Sequence, residues 1–418
     1  MSALSVHKPT RWRQVLVVLI LVILGFEFGR SIFRAGDFKG YITAGQAVLN
    51  GIDIYADFFN TWPPFFALFS VPLALIESLS PVLVRTLWLA GSLIVFWQSM
   101  VMLTDWVYQK KLSWRTQAND LSLNPWDLPI FIPLLIGLRY LLDNLANVQI
   151  NIYMMWLVLL VFQAFGRNKL GWAGLLLAFS ISLKVYPIFV FFFFIYRRQW
   201  TLVAWTLLYL ALINGATIFA FGIDQGLAYY QHWWQEIAAS PPNVILKNQS
   251  VFGLFYRTFT SLDPGLGVYV NWFDWSLDQA RHMGYAIILV AALYPAIQLW
   301  RAPKNPLGRK GVMEIAMLCA LIPLLSPLSW KAYFIFLWVP YFVLYAELFV
   351  AEALGQSSIW RILFLASVLL TVFSTEGIVG PYLSDVLETL SCITIGALML
   401  VVALLGRYPE IEEKGKGA

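Results

Sequence analysis

Asp37 opens the run Asp37-Phe-Lys-Gly-Tyr-Ile-Thr-Ala-Gly-Gln-Ala-Val-Leu-Asn-Gly-Ile-Asp-Ile-Tyr55, which follows the first apolar segment and leads through Trp62-Pro63-Pro64 into the second. A carboxylate between two apolar segments stands at a membrane surface, where it can take the proton of an attacking hydroxyl as a general base. Asp37 also precedes Phe38, Tyr41, Ile42, Val48 and Leu49, so capping of an interfacial helix is a competing reading. Asp53 and Asp57, further along the loop, are runners-up that turns and solvent explain as well.

Four cations are placed to stabilise an anionic leaving group: Lys184, Lys247, Arg257 and Lys331. Lys184 interrupts an apolar stretch, and an ionisable group inside a membrane is costly enough to mark a site unless it snorkels to the interface. Arg257 closes a short amphipathic stretch after Asn248-Gln-Ser, where a solvated loop cation is the alternative. Gln149 lies in the polar Asn144 to Asn151 cluster at a helix start, suited equally to capping and to substrate contact.

Of the 418 residues 60% are hydrophobic and 12% charged, and the mean hydropathy is +0.71. No water-soluble surface can be assembled from that composition, so the fold class is an all-α polytopic membrane protein. The excess of 28 Lys+Arg over 23 Asp+Glu sits in short inter-span segments and forms no stripe for nucleic acid. Cys319 and Cys392 fall in apolar segments and read as packing residues, and the three scattered His residues make no metal cluster. The Trp and Tyr clusters Tyr229 to Trp234 and Tyr269 to Trp275 read mainly as interfacial belts. No Gly-rich phosphate loop is present, which disfavours a soluble nucleotide-sugar donor.

Apolar segments near 15–26, 65–79, 83–104, 128–142, 148–165, 171–196, 200–221, 283–300, 312–329, 331–350, 358–374 and 386–406 suggest roughly twelve crossings at about 20 residues each. Basic Lys8, Arg11, Arg13, Arg197-Arg198, the Arg301 to Lys310 segment, Arg407, Lys414 and Lys416 belong to the cytoplasmic side by the positive-inside rule. The loops 31–62 and 222–282, with 326–331 and 375–385, then face the exoplasm. The stretch 171–196 is either one span or two halves split at Lys184-Val-Tyr-Pro187. No repeat or Pro-rich linker divides the chain, so 1–418 is expected to be a single membrane domain.

The Asp37 to Tyr55 run, Pro63-Pro64-Phe-Phe-Ala-Leu, Lys184-Val-Tyr-Pro187, Asn248-Gln-Ser-Val-Phe-Gly-Leu-Phe-Tyr-Arg257 and Ser326-Pro-Leu-Ser-Trp330 occur in an order that resembles glycosyltransferase family 87. That family comprises polyprenyl-phosphate-mannose-dependent α-mannosyltransferases of the GT-C type, and the resemblance runs from about residue 37 to about residue 335. It implies a GT-C-type bundle in the cytoplasmic (plasma) membrane, with exoplasmic loops, interfacial helices and its active site on the exoplasmic face. A hexose, mannose in the family's pattern, would pass with inversion from a polyprenyl-phosphate donor to a lipid or glycan acceptor. The phosphodiester leaves as a weakly basic anion, so one base and positive charge suffice, without a general acid or cofactor.

The resemblance assigns the base to Asp37 and raises Arg257 above Lys247, so that Lys184 and Arg257 are the expected donor-phosphate cations, with Tyr41, Tyr55, Gln149, Asn248, Gln249, Ser250, Trp330 and Lys331 as candidate substrate contacts. The chain departs from the family at Lys331-Ala-Tyr333, where acidic and His residues usually follow Ser-x-Ser-Trp, and acceptor recognition is expected to differ there. A secondary transporter or flippase of a lipid-linked or small polar substrate is the alternative. It would call for paired polar groups near the midplane of broken helices and for repeat symmetry, but the apolar segments are poor in Asp and Glu.

Overall fold

The apolar runs fold as helices because a chain in lipid must satisfy its backbone polar groups internally. The computed structural model describes residues 11–56, 61–114, 122–239, 243–298, 305–351 and 358–414; Asp57 lies outside them. The first helices are α1 (Arg11–Ile32), α2 (Phe38–Leu49), α3 (Pro64–Leu79), α4 (Pro81–Tyr108), α5 (Leu128–Ala146) and α6 (Asn151–Gly166). They are followed by α7 (Leu170–Leu183), α8 (Ile188–Tyr196), α9 (Trp200–Phe221), α10 (Ile223–Ala239), α11 (Val251–Phe259) and α12 (Leu277–Gln298). The C-terminal part carries α13 (Arg309–Leu325), a 3-10 turn over Lys331–Leu337 running into α14 (Trp338–Tyr345), α15 (Ser358–Val372), α16 (Glu376–Val379), α17 (Pro381–Thr389) and α18 (Cys392–Lys414). Two-residue strands at Lys111–Leu112 and Ser122–Leu123 pair in parallel and are the only strands among the described residues.

The expected segments are helical, and the expected number of crossings is not confirmed. Among the described residues, five helical segments are long and apolar enough to cross a membrane: Val15–Ile32, Pro81–Tyr108, Leu128–Ala146, Trp200–Phe221 and Lys331–Val350. The pair Pro381–Thr389 and Cys392–Tyr408, bent by 57°, makes a sixth if counted as one span. Helices α3, α6, α7 and most of α15 are apolar but shorter. A hydropathy window measures how far apolar sequence runs and is blind to where the backbone stops. The 14 residues of α7 rise about 21 Å, against a hydrocarbon core of roughly 30 Å.

The 171–196 stretch shows this directly. It is split: α7 ends at Leu183, Lys184 is extended (φ −155, ψ 128), and α8 begins only after Pro187. Proline has no N–H to donate and disfavours helix in the residue before it, which is why the break falls there.

Packing divides the chain into two interleaved units, one of residues 18–99 and 142–241, the other of residues 1–17, 100–141 and 242–418. In the first, α2 packs on α3, α7 packs against α6 and α9, and α10 against α3 and α9. Around α2 the core is aromatic: Phe38, Tyr41, Phe66 and Trp88 are buried, and Tyr41 meets Trp62, Phe66 and Trp88 at ring-centroid distances of 5.1, 5.1 and 5.7 Å. In the second, α18 packs against α13, α15 and α17, and α11 packs on α12.

Candidate functional site

Asp37 occupies the N-cap position of α2 but does not cap it: its backbone is already helical (φ −70, ψ −16) and its side chain makes no cap hydrogen bond. It reaches instead across 112 residues of sequence, where the Gln149 amide Nε2 donates to Asp37 Oδ2. Gln149 Oε1 in turn accepts from Asn151 Nδ2 at 3.1 Å. Asn151 Oδ1 accepts both the Lys184 ammonium at 3.0 Å and the Tyr186 hydroxyl at 3.1 Å. A relay of two amides thus joins a carboxylate to an ammonium within one packing unit.

The two ends determine the orientation of everything between them. Lys184 can only donate, so the atom of Asn151 facing it must be oxygen; Asn151 then offers its NH2 to Gln149, whose own NH2 faces the carboxylate. Gln149, Asn151, Lys184 and Tyr186 are all buried, and Asn151 is wholly so. Neither Gln149 nor Asn151 caps α6, whose first turn has no side-chain cap bond, so the capping explanation of this polar cluster gives way to the relay.

Backbone geometry brings the partners together. Asp37 N–H donates to Asn147 O at 3.0 Å. Gly36, at φ +50, precedes it, and a side chain there would run into the same Asn147 carbonyl. Val148 lies between Asn147 and Gln149 at φ +50, a left-handed conformation that is a genuine outlier for a β-branched residue. The Tyr41 hydroxyl accepts from Ile150 N at 3.3 Å and ties α2 to the same segment.

Asp37 is exposed at the surface of its unit. Protein nevertheless crowds its carboxyl enough that desolvation raises its pKa above the ordinary carboxylate range, while the Lys184 charge and the Gln149 hydrogen bond pull it down. The opposing influences suit a group that must both accept and release a proton.

Tyr55 is held by a hydrogen bond from its hydroxyl to Trp62 O at 2.8 Å, and its ring stacks on His232 at 5.2 Å. Asp53 Oδ1 accepts from Tyr55 N at 2.9 Å, the turn role expected of it.

The remaining sequence candidates belong to the second unit, where two motifs interlock. Asn248 Oδ1 accepts from the backbone N–H of Ser250 (3.2 Å) and of Ser329 (3.1 Å), while Asn248 Nδ2 donates to Pro327 O at 3.2 Å. Gln249 N–H donates to Ser329 O at 2.7 Å, and Gln249 Nε2 donates to Glu388 O at 2.8 Å. Ser250 Oγ accepts from Gly253 N at 3.1 Å and caps α11. All three side chains are fully buried. Their types are accounted for by holding the Asn248 and Ser326 segments to each other.

Arg257 is 2% exposed, and its guanidinium donates to Asn248 O (2.8 Å), Ile245 O (3.0 Å), Val244 O (3.4 Å) and Ser391 Oγ (2.6 Å). Burial lowers its pKa to about 10, with the Glu388 carboxylate opposing, which still leaves it charged at neutral pH. Lys331 pairs with Glu376 at 3.2 Å and with Glu388, while Lys247 pairs with Asp385 at 2.5 Å and Glu388 at 3.2 Å. Trp330, at 52% exposure, presents its ring at the surface.

Of the sequence candidates, the structure therefore brings together Asp37, Gln149 and Lys184, with Tyr41 behind them. Asn151 and Tyr186 are additions: both lie in motifs already noted, but nothing in their local spacing announces that one oxygen of Asn151 serves two donors.

The family model of Glycosyltransferase family 87 matches residues 60–327. That span takes in Gln149, Asn151, Lys184, Tyr186 and Arg257, and begins after Asp37 and Tyr55 and ends before Trp330 and Lys331. No curated protein and no solved structure matches the chain.

Proposed function

Since the chain belongs to glycosyltransferase family 87, we propose that it transfers a hexose, mannose in the family's pattern, from a polyprenyl-phosphate donor to a lipid or glycan acceptor at the exoplasmic face, with inversion. Asp37 is the general base. As the acceptor hydroxyl oxygen attacks the anomeric carbon, its proton passes to Asp37, and the bond from that carbon to the phosphate oxygen breaks with its electron pair on the phosphate. The products are the glycoside and polyprenyl phosphate, and Asp37 returns its proton to solvent. Lys184 supplies positive charge for the departing phosphate and, through Asn151 and Gln149, is coupled to the base.

The observation that carries this reading is that Asp37 stands at a helix start without capping it and instead closes a buried relay to a lysine. A merely structural Asp at that position would bond its own helix N–H groups. Arg257 is already committed to four protein acceptors, so in this reading it shapes the Asn248 segment, and the phosphate charge falls first to Lys184. Lys331, drawn into the Glu376 and Glu388 cluster, is the residue whose replacement bears on acceptor choice.

The test is to incubate membranes containing the protein with radiolabelled polyprenyl-phosphate-mannose and lipid extracts and to identify the labelled lipid. Asp37→Asn keeps the shape and removes the base, so transfer should fall on the order of a hundredfold or more with folding intact. Near-normal turnover by that variant would remove Asp37 from the chemistry.

A further inference from the structure

A second feature of α2 lies along the strip of its surface that starts at Asp37. Gly40, Thr43, Ala44, Ala47 and Asn50 recur at helical spacing, and with Gln46 and the returning residues Ile52 to Ile54 and Ala56 they line a cavity of about 200 Å³. Its floor is fixed by the unit's own core, where Ala44 and Ile54 pack with Ala67 and Tyr229. The cavity begins one helical turn from the base, since Gly40 N–H donates to Asp37 O at 3.0 Å. At about 1.5 Å of rise per residue, it extends from roughly 5 to 20 Å along the helix from Asp37.

The lining defines the chemistry of an occupant. Gln46 and Asn50, the C-cap residue of α2, are exposed and carry side-chain amides, and Asp53 has one carboxylate oxygen committed to Tyr55 N. Donors and acceptors of both kinds thus surround small apolar walls from Ala44, Ala47 and Ile52, the pattern that accepts hydroxyl groups on a compact C–H frame. Among the described residues the one formal charge in the lining is that of Asp53, which is negative, and no described Lys or Arg lines the cavity. A phosphate would be repelled, so the donor's charged end does not belong here. The volume lies below the roughly 300–1,000 Å³ of drug-sized pockets and suits one small ring.

We propose that this cavity is an acceptor subsite that seats an uncharged polyol or sugar unit of the acceptor and thereby presents a hydroxyl to Asp37. The assignment rests on the glycosyltransferase reading for the role of the bound unit, but not for its binding.

Two variants probe it without touching the base or the relay: the double change Gln46→Ala with Asn50→Ala, and Ala47→Leu, which fills the space. Saturation-transfer NMR on the full chain in nanodiscs, without donor, should show methyl α-mannoside or myo-inositol bound to the wild type and weakened at least fivefold in each variant. The double change acts by removing two hydrogen bonds to the ligand, and Ala47→Leu by occupying its volume. Inositol phosphate should bind more weakly than inositol. With donor supplied, the variants should raise acceptor KM while leaving donor KM and acceptor-free donor hydrolysis unchanged. Equal polyol binding by wild type and both variants at unchanged Tm, or tighter binding of inositol phosphate, overturns the subsite. Loss of polyol binding in the variants of a protein that turns over no donor upholds the subsite and removes the enzymatic reading instead.

Discussion

Replacing Gln149 by Leu removes two bonds at once, and the structure separates their consequences. The first is the donation from Gln149 Nε2 to Asp37. A hydrogen bond to a charged group contributes about 1.5–3 kcal/mol, and because Asp37 is exposed, water replaces part of it, so the lower end applies. If that bond aligns the base, about 1.4 kcal/mol is lost from transition-state stabilisation, or roughly tenfold in kcat/KM. The second is the acceptance by Gln149 Oε1 from Asn151 Nδ2, whose loss orphans a donor in a residue with no exposure. That costs about 1–3 kcal/mol of stability and lowers Tm.

The pH profile then isolates the site effect from the folding effect. Gln149 lowers the Asp37 pKa against a larger desolvation that raises it, so without Gln149 the pKa goes further up. A base must be deprotonated to act, and the acid limb of kcat/KM therefore moves to higher pH. Transfer measured in nanodiscs from pH 4 to 8, corrected for folded fraction, should show both the drop and the displaced limb. A profile superimposable on the wild type, in folded protein, would refute the claim that the relay serves the base.

Lys184→Gln keeps a donor for Asn151 Oδ1 but removes the charge that lowers the Asp37 pKa; donor kcat/KM should fall about tenfold or more and the acid limb should again rise, with both read from donor-varied kinetics across pH. Arg257→Gln abandons four protein acceptors around a buried guanidinium, so its first effect should be a loss of Tm in thermal unfolding, with donor KM little changed in whatever fraction remains folded. A cysteine introduced at Asn243 should react with a membrane-impermeant thiol reagent added outside intact cells and one at Asn305 should not; the reverse labelling would put the chemistry in the cytoplasm.

Much of the helical framework was legible because apolar runs in a lipid-embedded chain have few folds open to them. The Lys184 break was one of two readings the sequence left open, and Pro187 is the residue that accounts for it once the break is seen. Asp37 could be singled out by its place after the first apolar segment, but its function there could not, since the sequence treats a cap and a base alike. What separates them is Gln149, 112 residues away, and no local pattern records that distance. The Asn248-Gln-Ser motif shows the reverse: its polar side chains suggested a substrate face, and they are spent on Ser329, Pro327 and Glu388. The count of roughly twelve crossings is not confirmed for a related reason, because apolar sequence runs on past the end of α7 at Leu183, where the helix stops.

Val148 carries one more consequence. A left-handed conformation costs a side-chain-bearing residue about 1–2 kcal/mol, and a glycine would be spared that at an entropic cost of about 0.5–1 kcal/mol. Val148 is wholly buried, however, so a glycine there would also forfeit about 1.5–3 kcal/mol of side-chain burial, which offsets the relief of the left-handed conformation. The branched side chain thus fills the core and at the same time confines the backbone that aims Gln149 at Asp37, so folding stability and the alignment of the base rest on the same residue, and Val148→Gly should lose both together.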